Sequence, residues 1–215
     1  MHPEVLLPEA ARLAPGLCRA ISGMAFTLAG GTGLALQLGH RISADFDWFC
    51  APEDFPRDMG KILYAFDPSL QVLQDKADTF ECLMGGVKCS FFCFDGRFGA
   101  PEEFLHGVPI APVVDIAAMK LIAISQRGAR KDFYDLYEVL QNMEFRDIAQ
   151  RVATLYAHPS PNPLHISKSL VYFDDAERDP EPRMLNGVAW AAVRSFFVQR
   201  VGPFTNTLVE VIVQS

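Results

Sequence analysis

Gly30, Gly31 and Thr32 follow the short apolar run Ala25–Leu28 and open a helical pattern that continues to Leu38. Glycines at a strand-to-helix turn let backbone N–H groups approach a phosphate closely, and the helix N-terminus favours its negative charge. Thr32 adds a hydroxyl donor. Beyond that helix, Ser43–Phe49 alternates strictly, with Ser43, Asp45 and Asp47 on one side and Ala44, Phe46 and Trp48 on the other. On a strand the two carboxylates share a face with Cα atoms about 7 Å apart. Such a pair can converge on Mg2+ (or Mn2+) ions that bridge nucleotide phosphates. Each half has a plain alternative: a tight turn for the glycines, a strand ending in solvent for the aspartates. Their succession across one short helix points to a nucleoside triphosphate.

Lys120 is the second informative residue. Every other residue of Ile116–Ile124 is apolar, so the helix expected there is buried on most sides. A buried ammonium is costly unless paired, which calls for a carboxylate or phosphate partner; a structural salt bridge or snorkelling to the surface is the alternative. Just downstream, Arg127, Arg130 and Lys131 stand beside Asp132 and Asp135, which lie one turn apart on a helix face. With Arg41 these cations could form a local basic patch for a triphosphate or RNA. The bland reading is a solvated surface, with Asp132 capping the helix and Asp135 paired to Lys131.

Other chemistries fit less well. Gly31–Leu36 approximates the dinucleotide fingerprint G-x-G-x-x-G, but Leu36 fills the third glycine position and no acidic residue follows in the expected layout. No Gly-Lys-Ser/Thr sequence occurs, so the Walker loop is absent. Cys89 and Cys93 fall on an expected strand, where i and i+4 lie about 13 Å apart, too far for one zinc. The five cysteines are odd in number and sit in apolar context, as buried reduced thiols do. The chain carries 19 Lys and Arg against 26 Asp and Glu, a net charge of −7, so nucleic acid would have to be met locally rather than by overall charge. No apolar stretch reaches the roughly 18 residues of a membrane span, no signal peptide is visible, and a cytoplasmic location is expected.

The elements that must position these residues are legible in outline. Glu9–Gly23 reads as an amphipathic helix, residues 53–66 as another, and Ser43–Phe49 as a strand. Leu70–Gln74, Thr79–Met84 and Val87–Phe94 read as strands, the last two joined by a Gly85-Gly86 hairpin. A Pro/Gly-rich stretch, Gly99–Pro112, precedes a mostly helical remainder. There Asp115 can cap a helix running to about Gln126, and Lys131–Asn142, Asp147–Tyr156 and Gly187–Gln199 are further helices, with Asp174–Pro182 an acidic loop. The expected architecture is an α/β (α+β) mixed sheet with flanking helices over residues 1–110, and a helical region, 111–215, packed on it.

Leu28–Phe49 closely resembles the first motif of the AbiEii/AbiGii toxin family of nucleotidyltransferases. Asp115–Lys120 and Arg130–Leu136 are similar to its later motifs, and Ser169–Glu177 to a C-terminal segment common among its members. The resemblance implies a minimal nucleotidyltransferase fold, Mg2+, a nucleoside triphosphate substrate and a cognate antitoxin. In characterised relatives it implies a tRNA acceptor end as target. On this footing Gly30, Gly31, Thr32, Arg41, Ser43, Arg127, Arg130 and Lys131 are the expected nucleotide-binding residues, and Asp45 and Asp47 the metal ligands. Lys120 is expected to neutralise charge on the α-phosphate or leaving pyrophosphate. One departure stands out. Such enzymes commonly carry a third carboxylate on a later central strand, whereas Val87–Phe94 offers Lys88 and Ser90 but no acid. Asp132 or Asp135 is the expected substitute; a degenerate relative that binds nucleotides or a partner without transfer is the alternative.

Overall fold

The computed structural model describes residues 1–213, which divide into two compact units with the boundary between Pro112 and Val113. The first is a mixed α/β unit. Helix α1 (Pro8–Ala20) buries Ala10, Ala14, Leu17 and Cys18, a spacing that makes one apolar stripe. Strand β1 (Thr27–Leu28) leads into α2 (Gly30–Leu38), which ends where Gly39 takes φ 67°, a left-handed cap only glycine adopts cheaply. Strand β2 is Phe46–Cys50, α3 is Met59–Phe66, and β3, β4 and β5 are Gln71–Lys76, Thr79–Met84 and Val87–Cys93. Two-residue strands β6 (Phe104–Leu105) and β7 (Val108–Pro109) form a small hairpin.

The main sheet has the order β1-β2-β5-β4-β3. Only β2 and β5 run parallel; the other pairings are antiparallel. Phe46, Trp48, Cys82, Cys89 and Phe91 fill one face and join the core to which α1 and α3 contribute Leu17 and Leu63. Asp47, Ser90 and Glu81 belong to the opposite face, because side chains alternate along each strand.

Three boundaries differ from expectation. The strand begins at Phe46 rather than Ser43, since the Ser43 N–H is drawn to Val5 in an isolated bridge outside the sheet, leaving Ala44 exposed. The two strand residues expected before Thr27 stay irregular. Residues 52–54 form a 3-10 turn and the helix starts only at Met59, because Pro56 lacks an N–H and disfavours helix in the residue before it.

The second unit is helical: α4 (Val113–Arg127), α5 (Arg130–Val139), α6 (Phe145–Leu155), α7 (Pro163–Ser169), α8 (Asp174–Arg178) and α9 (Trp190–Val213). Helix α9 runs well past Gln199, and its Pro203 is accommodated within it. Phe145 of α6 stacks on Phe204 of α9 with centroids 3.9 Å apart. The segment read as an acidic loop contains α8. Asp115 does not cap α4. It lies inside the first turn, fully buried, and both its oxygens accept hydrogen bonds from Arg151 of α6, one from Nη2 at 3.1 Å. Replacing Arg151 by Leu leaves that carboxylate buried beside an apolar side chain, and should lower stability by about 3 kcal/mol, read as a lower denaturation midpoint.

Candidate active site

In the first unit the glycine turn is built around two side chains that arrive from the segment after α2. Gly30 has φ 62°, and a Cβ there would stand 3.0 Å from Asp47 Cβ and 3.1 Å from Asp47 Cγ. A Cβ on Gly31 would run into the Arg41 guanidinium, 3.4 Å from Cζ, and sit 3.5 Å from Ser43 Oγ. Gly30 is therefore required by its backbone and by the close approach of Asp47, while a side chain at Gly31 would displace the Arg41 guanidinium. The turn is stitched to the carboxylate segment by main-chain bonds: Ala29 N–H donates to the Asp47 carbonyl at 3.0 Å. Thr32 Oγ1, buried, contacts both Ser43 Oγ at 2.8 Å and the Asp45 carbonyl. Thr32 and Ser43 thus align the turn and the acidic segment with each other. Gly30→Ala should destabilise the fold by at least about 1–2 kcal/mol from its left-handed φ alone, read as a lower melting temperature.

The Asp47 carboxylate and the Arg41 guanidinium meet at this helix start, with Asp45 tied to it through its carbonyl; Asp45 and Asp47 are half-buried and Arg41 is 4 % exposed. The arrangement fits a divalent cation only in one way. Among the described residues no group of three or more His, Cys, Asp and Glu could hold a metal ion. Two carboxylates suit Mg2+ carried in with phosphates and water, which need not have an all-protein cage.

Lys88 and Ser90 of the central strand meet on this face an acid that the sequence did not single out, Glu81. Asp47 of β2 is in register with Ser90 of β5, and Ser90 with Glu81 of β4, so the three stand in one row. Ser90 Oγ donates to Glu81 at 3.1 Å and Lys88 Nζ pairs with Glu81 at 2.7 Å. The Lys88 hydrogen bond holds Glu81 below its ordinary range. Glu81 in turn raises the Lys88 pKa, with Asp47 and Asp45 adding to the shift. Further along β2, on the face of Asp47, Phe49 lines a cavity of about 440 Å³ with Phe94, Phe98 and Arg97. Phe94 and Phe98 stack at 5.1 Å, and aromatic walls of this kind offer a planar base a stacking surface.

In the second unit Lys120 is gripped from two sides. Its Nζ lies 2.7 Å from Asp132 Oδ1 and 2.7 Å from Asp135 Oδ2, with both aspartates fully buried. Arg127 Nε donates to Asp132 Oδ2 at 3.0 Å. Burial would raise the Asp132 pKa, but the charges of Lys120 and then Arg127 outweigh it and hold the carboxyl below its ordinary range. Asp132 therefore does not cap α5, whose cap residue Ala129 offers no side-chain bond, and Asp135 turns to Lys120. Arg130 ties α5 to α8, donating to the carbonyls of Ala176 at 2.7 Å and Glu177 at 3.0 Å and covering the Trp190 ring. Lys131, next to it on α5, is exposed.

The family model described as nucleotidyl transferase AbiEii toxin, Type IV TA system, matches residues 99–207. The uncharacterized protein aq_aa25 of Aquifex aeolicus (strain VF5) is 38% identical over 188 residues, covering 82% of this chain and 86% of that protein. In fold the chain is similar to JHP933 from Helicobacter pylori, with a TM-score of 0.60, 16% identity and 95% of each chain covered. It is also similar to MenT4, a nucleotidyltransferase toxin from Mycobacterium tuberculosis H37Rv, with a TM-score of 0.57, 16% identity, and 92% and 84% of the two chains covered. No helix among the described residues is long and apolar enough to cross a membrane. By the extent of the family match and the identity to its relative, the chain belongs to the AbiEii family of nucleotidyltransferase toxins.

Proposed function

We propose that the protein transfers a nucleoside monophosphate from a nucleoside triphosphate to the hydroxyl of an RNA acceptor such as a tRNA 3′ end, and that a cognate antitoxin restrains it. The observation that carries this reading is the glycine turn closed on Arg41 and Asp47, with Asp45 alongside. Gly30, Gly31 and Thr32 present backbone N–H donors to the triphosphate, Arg41 adds a buried positive charge, and the Thr32 hydroxyl is spent on the Asp45 carbonyl and Ser43, which hold the turn in place. Asp45 and Asp47 would hold Mg2+ or Mn2+, which supplies charge neutralisation on the phosphates.

The acceptor oxygen forms a bond to the α-phosphorus while the bond to the bridging α–β oxygen breaks, so pyrophosphate leaves with the electron pair. We assign Lys120 to the charge that develops on the α-phosphate and leaving group, and one of the aspartates that grip it, Asp132 or Asp135, to the hydroxyl proton. Arg127 and Lys131 are assigned to the basic surface that meets triphosphate or RNA, whereas Arg130, engaged with α8 and Trp190, is assigned to holding the start of α5 in place. The test is pyrophosphate release from each of ATP, CTP, GTP and UTP with Mg2+ or Mn2+, in the presence of total tRNA, alongside a radiolabel on the RNA. Labelled tRNA is the expected product. Metal-dependent nucleotide binding with neither pyrophosphate nor labelled RNA supports a degenerate nucleotide-binding or partner-binding relative instead.

A further inference from the structure

The sheet face that carries Asp47 also carries a positive charge with no assigned task. We propose that Lys88 is a phosphate-binding residue of the nucleotide site, contacting the triphosphate bound at the glycine turn, and that Glu81 is the positioning residue that aims it. This inference rests on the nucleotidyl-transfer reading and adds to it a cation from the central strand.

The placement follows from strand register. Asp47 on β2 faces Ser90 on β5, and Lys88 stands two residues before Ser90, just as Asp45 stands two residues before Asp47. Lys88 is therefore on the Asp47 face, on the strand hydrogen-bonded to β2, at the end where Asp45 and the glycine turn lie. Neighbouring strands are about 4.8 Å apart, within the span of a lysine side chain. Glu81, one strand further out, reaches back across β5: its carboxylate accepts from Ser90 Oγ at 3.1 Å as well as pairing with Lys88 at 2.7 Å. Ser90 is 1 % exposed, so its hydroxyl is a fixed anchor, and the Glu81 oxygen that accepts from it is the one that holds the ammonium.

The pair is not a closed one. The Lys88 side chain remains 41% exposed while Glu81 is 19% exposed, so the ammonium keeps donors for an incoming anion. The electrostatic pull of Asp47 and Asp45 on Lys88 places it within Coulombic reach of the proposed metal ligands. A triphosphate carrying one divalent cation still bears excess negative charge, and a site with only two candidate metal-binding carboxylates needs that excess met by side chains. Lys88 meets it from the sheet as Arg41 does from the turn.

The test compares binding of the tightest of the four nucleoside triphosphates, with Mg2+, against the matching monophosphate and against inorganic tripolyphosphate. Lys88→Ala and Lys88→Gln should weaken triphosphate and tripolyphosphate binding about tenfold or more and leave monophosphate binding within about twofold. Lys88→Arg should restore a large part of the affinity. Glu81→Gln should weaken triphosphate binding in the wild-type background and have no further effect in Lys88→Ala, as a positioning role requires and a separate structural role does not. Folding of each variant is checked by its melting temperature. Triphosphate affinity unchanged in folded Lys88→Ala and Lys88→Gln, while Asp45→Asn/Asp47→Asn abolishes it, overturns the inference and leaves the nucleotide site standing. Absence of any nucleotide binding in the wild-type chain overturns the nucleotidyl-transfer reading and this inference with it.

Discussion

The double substitution Asp45→Asn/Asp47→Asn is expected to abolish metal-dependent nucleoside triphosphate binding and to lower nucleotidyl transfer by about a thousandfold or more, with the fold retained. The size follows from the several kcal/mol that metal-based charge stabilisation contributes to phosphoryl chemistry. Retention of the fold follows from how the segment is held. The bonds that dock it to the glycine turn come from its main chain: the Asp47 carbonyl accepts from Ala29, and the Asp45 carbonyl from Thr32. Asparagine keeps those carbonyls and nearly the same volume, so the turn stays closed while the charge is gone. Both carboxylates are also half-buried rather than sealed in the core, which keeps the desolvation balance small. Calorimetric titration of the nucleotide with and without Mg2+, beside thermal melting, checks both halves. Wild-type affinity in a folded double variant would overturn the assignment of these residues.

What the sequence makes legible here is local. The Gly30–Gly31 turn, the α2 stop at Gly39 and the Gly85-Gly86 hairpin are each dictated by residues adjacent in the chain, and each is found in place. Glu81 was legible by the same logic. A two-residue turn sets Met84 opposite Val87, and counting back along both strands pairs Glu81 with Ser90. What could not be read was that β5, not β3 or β4, lies beside β2, because a parallel pairing is made by a long connection and leaves no local signature. Without that neighbour, Lys88 has no visible relation to Asp45 and Asp47. The misplacement of Asp115 has a related cause. An aspartate before a helical run reads as a cap, and only the distant Arg151 of α6 makes it a buried partner instead. Lys120 went the other way. Its apolar surroundings alone demanded a partner, and the structure supplies two within the nearest downstream helix.

Lys120→Met is expected to affect the protein twice over, and the two effects can be separated. Read from sequence alone, loss of this charge costs turnover, on the order of 3 kcal/mol in the transition state. The structure adds a stability cost, because Asp132 and Asp135 are fully buried and both depend on the Lys120 ammonium. Removing one partner from a buried ion cluster typically destabilises by about 3–5 kcal/mol, a large share of the roughly 5–15 kcal/mol that holds a domain together. Arg127 compensates Asp132 only in part, since its own side chain is 59% exposed and water screens it. The variant Lys120→Met/Asp132→Asn/Asp135→Asn removes all three charges and should recover much of the lost stability. The pH dependence follows the sign of the Asp132 shift. Its folded pKa lies below the ordinary 3.8, so its contribution is complete above that value and is lost as pH falls through the lower folded value. Wild-type stability should therefore drop below about pH 4, and the triple variant should drop less. Transfer activity per folded molecule then decides the role of the cluster. A folded but inactive triple variant places Lys120 and its aspartates in the reaction, whereas full activity would make them a buried structural ion cluster and return the acceptor's proton to another base.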